Sequence, residues 1–434
     1  MSRSLARYLR SFTGFSRDAR LFLLTTIVFG AALSLYWIDF NLYLESIGLD
    51  RPTIGLLLSV SQLAGVLVAL PASALSDRLG RRTLMAAGMA LAAVAFLAFL
   101  PGQRPLVLVG VVMMGAGSQI VAVVQIPFIA EHTLPEQRNE YFAFWSALGF
   151  ITSIASAVVG GQAATALAAH LGLTSTAAPY QILLVGVAVL GVVSLGTVYL
   201  LASDRPAPER ERHRRPGRFG LVILDRNLFF RLLLPGFLTS LGAGQLIPFL
   251  NVFIQTKFSL TLAEINVVFA VTSLGTAAAI LAQPALASRF GRIRSIVLVQ
   301  GASIPFLVVL GFSPALWTVI VALTVRNSLM NAGSPIFDAF SMERVTPAER
   351  ATLAAGMTML WSLGWTIAPL YYSALQARLG FTAGYAVDFV TIIVLYSVAT
   401  ALLWTWFRGT DKTAPKETVP VPIPTEAPAL LDHA

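Results

Sequence analysis

Apolar positions fall into twelve long runs separated by short polar breaks. The runs cover roughly 21–46, 53–75, 83–101, 105–130, 141–165, 179–202, 230–256, 263–287, 295–313, 316–341, 352–377 and 382–407. A helix that crosses the hydrocarbon of a bilayer needs about 20 mostly apolar residues. Only helices and closed barrels satisfy every backbone polar group there. The pattern therefore predicts an all-α integral membrane protein with twelve transmembrane helices. Three stretches fall outside the runs. Residues 1–20 are basic and polar, a cytoplasmic lead-in with Arg3, Arg7, Arg10, Arg17 and Arg20. Residues 203–229 set Arg205, Arg210, Arg212, Arg214, Arg215 and Arg218 against Asp204, Glu209 and Glu211, with Pro206, Pro208 and Pro216 between them, and read as a solvated linker. Residues 408–434, with Pro415, Pro420, Pro422, Pro424 and Pro428, read as a disordered tail. The linker divides the chain into two six-helix bundles, 21–202 and 230–407.

The two bundles echo each other. Leu75-Ser76-Asp77-Arg78-Leu79-Gly80-Arg81-Arg82 lies between the second and third runs; Leu286-Ala287-Ser288-Arg289-Phe290-Gly291-Arg292-Ile293 lies between the eighth and ninth, 211 positions on. Leu, Arg, Gly and Arg recur at the same spacing, and Gly80 permits a tight reversal. Upstream, Thr53-Ile54-Gly55 is answered by Glu264-Ile265-Asn266. Glu131, Pro135 and Arg138 after the fourth run keep their spacing in Glu343, Pro347 and Arg350 after the tenth. Trp145-Ser146-Ala147-Leu148-Gly149 is followed in the second half by Trp361-Ser362-Leu363-Gly364. Repeats in several loops, in one order, predict a duplicated bundle, the architecture of secondary transporters whose site lies at mid-membrane between the halves.

Composition agrees. The 434 residues are 56% hydrophobic and 12% charged, against about 25% charged in soluble domains. The net charge of +9 does not point to nucleic acid, because the basic residues sit in short loops beside apolar runs. One set of loops holds only Arg51, Arg104, Lys257 and Arg378. The other holds the N-terminus, Arg78 to Arg82, Arg138, the linker, Arg289 to Arg294, Arg344, Arg350 and Arg408. The positive-inside rule then places both termini in the cytoplasm. There is no cysteine, so no thiolate site. His132, His170, His213 and His433 lie far apart, so no metal is expected. No phosphate-cradling Gly-x-x-x-x-Gly-Lys-Ser/Thr loop occurs, which excludes ATP as the expected energy source. The run from Leu21 to Leu44 is too long for a signal-peptide core. The absence of an Asn-x-Ser/Thr sequon suggests a bacterial source, hence a plasma (inner) membrane.

The core Asp77-Arg78-x-Gly80-Arg81-Arg82 resembles the loop between the second and third helices of the major facilitator superfamily. Ser73 stands where the consensus has a glycine, and Ser288 replaces the aspartate in the second half. The resemblance covers roughly 20–407. It implies two pseudo-symmetric bundles that rock about a central path lined by helices one, four, seven and ten. It also implies that Asp77 helps hold the cytoplasmic side shut, with Arg78, Arg81, Glu131 and Arg138 as partners. Gly80 and Arg82, then Arg289, Gly291, Arg292, Glu343 and Arg350 at the repeated positions, and Asp338 near the end of the tenth run, complete the gate candidates. The alternative is that these charges only fix which loops stay inside. Subfamily signatures depart from the chain. Val111 stands where proton-driven exporters carry an arginine, and Ser156-Ala157 replace Gly-Pro before Gly160-Gly161.

A charge at mid-membrane costs about 3 kcal/mol or more, so it faces water or a partner. Asp39, flanked at helical spacing by Tyr36 and Tyr43, is the candidate proton-coupling group; the alternative is static pairing with Arg326. Arg326 can instead hold an anionic substrate group. Asn327, Asn331, Ser334 and Asp338 share a stripe with cavity lining or interhelical bonding as its roles. Gly244, Pro248, Asn251 and Gln255 share another in the seventh run, where Gly and Pro let the helix bend, with Gln245 beside it. Gln119 and Gln125 are polar groups of the fourth run. Trp37, Trp361 and Trp365 offer aromatic surface. No convergent catalytic set exists, so an enzyme is not expected. The expectation is a monomeric secondary transporter using the proton gradient and no other cofactor. Its cargo is a small molecule, with proton-coupled export of amphiphilic compounds favoured. The alternative is uptake or exchange of an anionic or zwitterionic solute held by Arg326.

Overall fold

The computed structural model describes residues 14–134, 138–175, 177–201, 223–290, 292–346 and 349–409. Most of the linker and the tail lie outside them. Among the described residues there is no strand. The first half contains α1 (Arg17–Ser46), α2 (Arg51–Leu79), α3 (Arg81–Phe99), α4 (Arg104–His132), α5 (Arg138–His170) and α6 (Ala178–Tyr199). The second contains α7 (Arg226–Leu246), a 3-10 turn (Ile247–Phe249), α8 (Leu250–Phe258), α9 (Leu262–Phe290), α10 (Arg292–Phe312), α11 (Leu316–Arg344) and α12 (Arg350–Phe407).

Local chemistry sets the breaks. Pro248 removes a backbone donor, and the expected bend of the seventh run occurs there, as the 3-10 turn between α7 and α8. Gly80 (φ 92°) and Gly380 (φ 68°) adopt backbone angles that a side chain disfavours. At Gly380 the 58-residue α12 folds back on itself. The Tyr372 and Tyr385 hydroxyls meet at 2.9 Å, and those of Tyr371 and Thr391 at 3.0 Å, which ties the two arms side by side. Thr261 and Glu264 form a reciprocal capping box at the start of α9.

Nine helices among the described residues are long and apolar enough to cross a membrane, with α12 counted once. The apolar described part of α9 is the shorter Leu262–Thr276, and α11 is interrupted by Arg326, Asn327, Asn331 and Asp338. Large apolar side chains face outward along the helices. Leu67 and Leu70 of α2 are each 67% exposed, with Val185, Val189, Val192 and Val193 of α6 near half. Such surface fits lipid rather than water.

Packing repeats with the sequence. In the first half α3 lies on α4 and α6, α2 on α4, and α1 on α5 and α6. In the second, α10 lies on α11 and α12, α9 on α11, and α7 on α12. Two large contacts join the halves, α2 with α12 and α5 with α9. Moving each partner by the sequence repeat exchanges these two contacts, as a pseudo-twofold axis requires. The crossings match in detail. Gly55 of α2 lies against Pro369 and Ser373, and Gly161 of α5 lies against Asn266, the repeat-mate of Gly55.

Candidate functional site

The halves are bonded along the face opposite the termini. Asn41 Nδ2 donates to the Pro248 carbonyl, and Asn251 Nδ2 to the Ile38 carbonyl. Gln255 donates to the Tyr180 hydroxyl at 2.5 Å and Ser373 to the Pro52 carbonyl at 2.6 Å. Arg51 pairs with Glu45 at 2.8 Å, reaches Thr256 Oγ1 at 3.3 Å, and lies 4.7 Å from the centre of the Phe381 ring. These bonds all lie at one end of the helices. The seam is therefore closed on one face.

Asp39 sits in that seam. It is 1% exposed, and Asn266 Nδ2 of the opposite half donates to its Oδ1 at 2.8 Å. Asp39 Oδ2 and Asn266 Oδ1 have no partner among the described residues. A buried carboxylate with a single amide donor is under-compensated. The pairing with Arg326 does not form. Arg326, 2% exposed, donates through Nη1 to Asn327 Oδ1 and through Nη2 to the Tyr396 hydroxyl, both at 2.9 Å, and stands 5.5 Å from the Tyr396 ring centre. Both partners belong to the second half. Asn251 is 3% exposed, so none of these three side chains faces lipid.

Two clefts open towards the face that carries the termini. A cavity of about 510 Å³ is lined by Phe22, Thr25, Phe29, Gln125, Trp145 and Phe150 among others. Its repeat-mate, of about 340 Å³, is lined by Phe237, Gln300, Phe337, Asp338, Met357 and Trp361 among others. Trp145 and Trp361, equivalent in the sequence repeat, take equivalent places.

The remaining candidates divide. Gln125 and Asp338 line the clefts. Tyr36 belongs to an aromatic stack with Phe40 and Phe99, and the Tyr43 hydroxyl donates to the Phe99 carbonyl at 2.5 Å. Both are packing residues of the first half rather than lining of either described cleft. Gln119 is half-buried beside Gly65, and Gln245 is buried with Oε1 unpartnered. Asn331 is exposed and bonds back to the Asn327 carbonyl at 2.9 Å.

Several charges of the repeated motif have partners within their own half. Arg81 Nε meets Glu131 Oε1 at 3.2 Å, and Arg292 meets Glu343 in the equivalent pair. Arg81 also reaches Ser76. Arg82 donates to the Val198 and Tyr199 carbonyls at 3.3 and 2.7 Å, and Arg350 to the Met342 carbonyl at 3.1 Å. Arg78 is exposed beside Gly80. The side chains of Asp77, Arg138, Ser334 and Arg289, and Gly291 itself, lie outside the described residues.

Three residues escaped the sequence reading. Asn266 was visible only as the mate of Gly55, yet it holds Asp39. Asp388, 1% exposed in the second arm of α12, is a second buried acid. It lies in the twelfth run, outside helices one, four, seven and ten, which the resemblance places along the path. Glu349 accepts from the Leu224 amide at 2.8 Å and from the Thr346 amide and hydroxyl at 3.1 and 2.8 Å. Thr-x-x-Glu before an apolar run was the readable signal. These amide donors hold the Glu349 carboxyl below the usual carboxylate range, the Leu224 bond first.

The family model of the Major Facilitator Superfamily matches residues 22–253 and, a second time, residues 232–430. A mutant of the nucleoside transporter NupG superposes with a TM-score of 0.74 at 13% identity, covering 90% of this chain and 100% of that one. A bacterial homolog of the human lysosomal transporter Spinster, inward-facing and occupied, gives 0.69 at 16% identity, covering 92% and 100%. A D-xylose-proton symporter gives 0.68 at 13% identity, covering 91% and 99%. At these identities the likeness shows the fold alone. A search of the curated proteins finds no match.

Proposed function

The chain belongs to the major facilitator superfamily, and from that premise we propose that it exports small amphiphilic compounds in exchange for protons. It is a multi-pass secondary transporter and not an enzyme. The proposal adds direction, cargo and coupling, with the protein working as a monomer in a bacterial inner membrane and both termini inside. On that orientation the closed seam faces out and the clefts face the cytoplasm.

One observation carries the proposal: Asp39 is buried where the halves meet, and among the described residues its only donor is Asn266 of the other half. Closing the outer face takes this carboxyl out of water. Burying it ionised costs several kcal/mol; burying it protonated costs less. A proton taken up from outside therefore favours the closed outer face, which is the return stroke of an exporter. By linkage, closure favours proton uptake equally. The cleft walls mix aromatic and aliphatic side chains with hydroxyl and amide groups and, in the second cleft, Asp338, a mixture that suits an amphiphilic cargo. The alternative of an anionic or zwitterionic solute at Arg326 draws on one atom, the buried and unpartnered Nε. The other two nitrogens are engaged, which places that reading second.

The test uses proteoliposomes and a fluorescent amphiphilic dye. A proton gradient should drive dye accumulation by the wild type. Asp39→Asn should lose gradient-driven accumulation and keep passive exchange. Full gradient-driven transport by Asp39→Asn would reject the coupling role.

A further inference from the structure

Among the described residues, Asp388 is the acid with both carboxylate oxygens buried and unpartnered. It is 1% exposed. It lies eight residues past Gly380, about 12 Å into the second arm of α12 at about 1.5 Å per residue. Polar atoms near it are also unspent. Gln376, on the first arm, is 6% exposed, and both its amide atoms lack partners. Its Nε2 fills the place a side chain on Gly384 would take, 2.8 Å from an ideal Cβ there. Gly384 is one turn before Asp388 on the same helix face. The Tyr372 hydroxyl meets that of Tyr385, which also reaches the Phe249 carbonyl at 3.3 Å.

Native interiors rarely leave a buried polar atom unpaired, and a lone buried carboxylate is costlier still. A single positive charge at Asp388 resolves both. No described side chain supplies it. Charged residues of α7 (Arg226, Arg231) and α10 (Arg292, Arg294) lie at the face of the termini. Arg350 lies there too, and Arg378 is exposed beside the Gly380 turn. Arg51 is committed to Glu45 and Thr256, Lys257 of α8 donates to the Gly311 carbonyl at 2.9 Å, and Arg326 bonds Tyr396, two turns further along the arm. The titratable neighbours are Tyr372 and Tyr385.

We propose that Asp388 binds one monovalent cation, a proton or a sodium ion, with Gln376 Oε1 and the Tyr372 and Tyr385 hydroxyls as neutral oxygen donors. A hard cation prefers such oxygens, and one acid balances one charge. The site lies wholly in the second half and does not involve Asp39, so the two assignments stand or fall separately.

Purified full-length protein tests this in two arms. Radioactive sodium binding is measured at mildly alkaline pH. The infrared carboxylic-acid band is followed against pH in sodium-free choline buffer. The wild type, Asp388→Asn, Gln376→Leu and Asp39→Asn are compared. If sodium is the ligand, the wild type retains one ion, Asp388→Asn loses it, and Gln376→Leu weakens it roughly tenfold, the loss of one hydrogen-bond-sized contact. If the proton is the ligand, a carboxylic-acid band is present without sodium, disappears in Asp388→Asn and survives in Asp39→Asn. No sodium retention together with an unchanged band in Asp388→Asn overturns the assignment. Should Asp388→Asn not fold, Gln376→Leu decides, because unchanged sodium affinity and an unmoved carboxyl band there overturn it equally.

Discussion

The seam opposite the termini closes through a crossing with no room for a side chain. A Cβ added at Gly55 would sit 2.7 Å from the Pro369 carbonyl oxygen and 2.9 Å from Ser373 Cβ, well inside the optimum of about 3.5–4.0 Å. Pro369 O is backbone and cannot swing aside, so Gly55→Ala must push α2 from α12. The Ser373 bond to the Pro52 carbonyl and the reach of Arg51 to Thr256 lie beside the crossing and loosen with it. Overpacking of this kind costs about 1–3 kcal/mol. The overlap exists only while this face is shut, so the cost falls on the closed state. The open-to-closed ratio then rises roughly 5- to 150-fold. Because the chain has no cysteine, a single Gln255→Cys reports the opening. Gln255 is half-buried and bonded across the seam to Tyr180. In the Gln255→Cys background, Gly55→Ala should raise the rate of labelling by a membrane-impermeant maleimide by about fivefold or more. Gly186→Ala, with nothing within 4 Å of the added atom, should leave it unchanged. A folded Gly55→Ala protein labelled at the parental rate would refute the idea that the halves part at this crossing.

Three further outcomes are expected. Asn266→Ala removes the one donor to Asp39 among the described residues and should cost about 1–3 kcal/mol in thermal unfolding, with most of that cost gone in the Asp39→Asn background; equal cost in both would show that the two side chains are not coupled. Glu349 has its carboxyl held low, so its contribution is fully present above the ordinary glutamate range near about pH 4.3 and is lost as pH falls through the depressed value; the gap in unfolding temperature between wild type and Glu349→Gln should narrow on acidification, and a gap that widens would reverse the sign. The Arg81–Glu131 pair is half-exposed on its acidic side, so a double-mutant cycle with alanines should give a coupling of about 1 kcal/mol or less, and a much larger value would mark it as part of a buried network.

Much of the architecture was readable because lipid imposes one strong rule, a long apolar helix per crossing, and because duplication wrote that rule twice. The repeat of Leu75 to Arg82 at Leu286 to Ile293 gave the two bundles, and the mated pairs Arg81–Glu131 and Arg292–Glu343 follow from it. Pro248 announced the break between α7 and α8. The candidate site was less legible. Helical spacing tells which residues share a face but not which neighbour that face meets. Asp39 and Arg326 were matched by depth alone, whereas each found neutral partners, Asn266 for one and Tyr396 with Asn327 for the other. Tyr36 and Tyr43 flank Asp39 at helical spacing, and their rings pack against Phe40, with Phe99 beside Tyr36, inside the first half.

The two crossings between the halves also show where a symmetric scaffold acquires a direction. At one, Gly55 meets the backbone of Pro369 and the small side chain of Ser373. At the other, the equivalent of Gly55 is Asn266, and the glycine has moved across the contact to Gly161. Both arrangements let backbones approach closely, so the packing survives the exchange. Only the second places an amide in the seam, and that amide meets Asp39. Closing the first crossing buries hydroxyl and carbonyl groups, which no proton alters near neutrality. Closing the second buries a carboxyl, whose burial cost depends on its proton. A pure twofold repeat would couple both crossings or neither. If Asp39 carries the coupling proposed above, the difference between glycine and asparagine at one repeated position makes the α1–α9 contact sensitive to that proton and the α2–α12 crossing not.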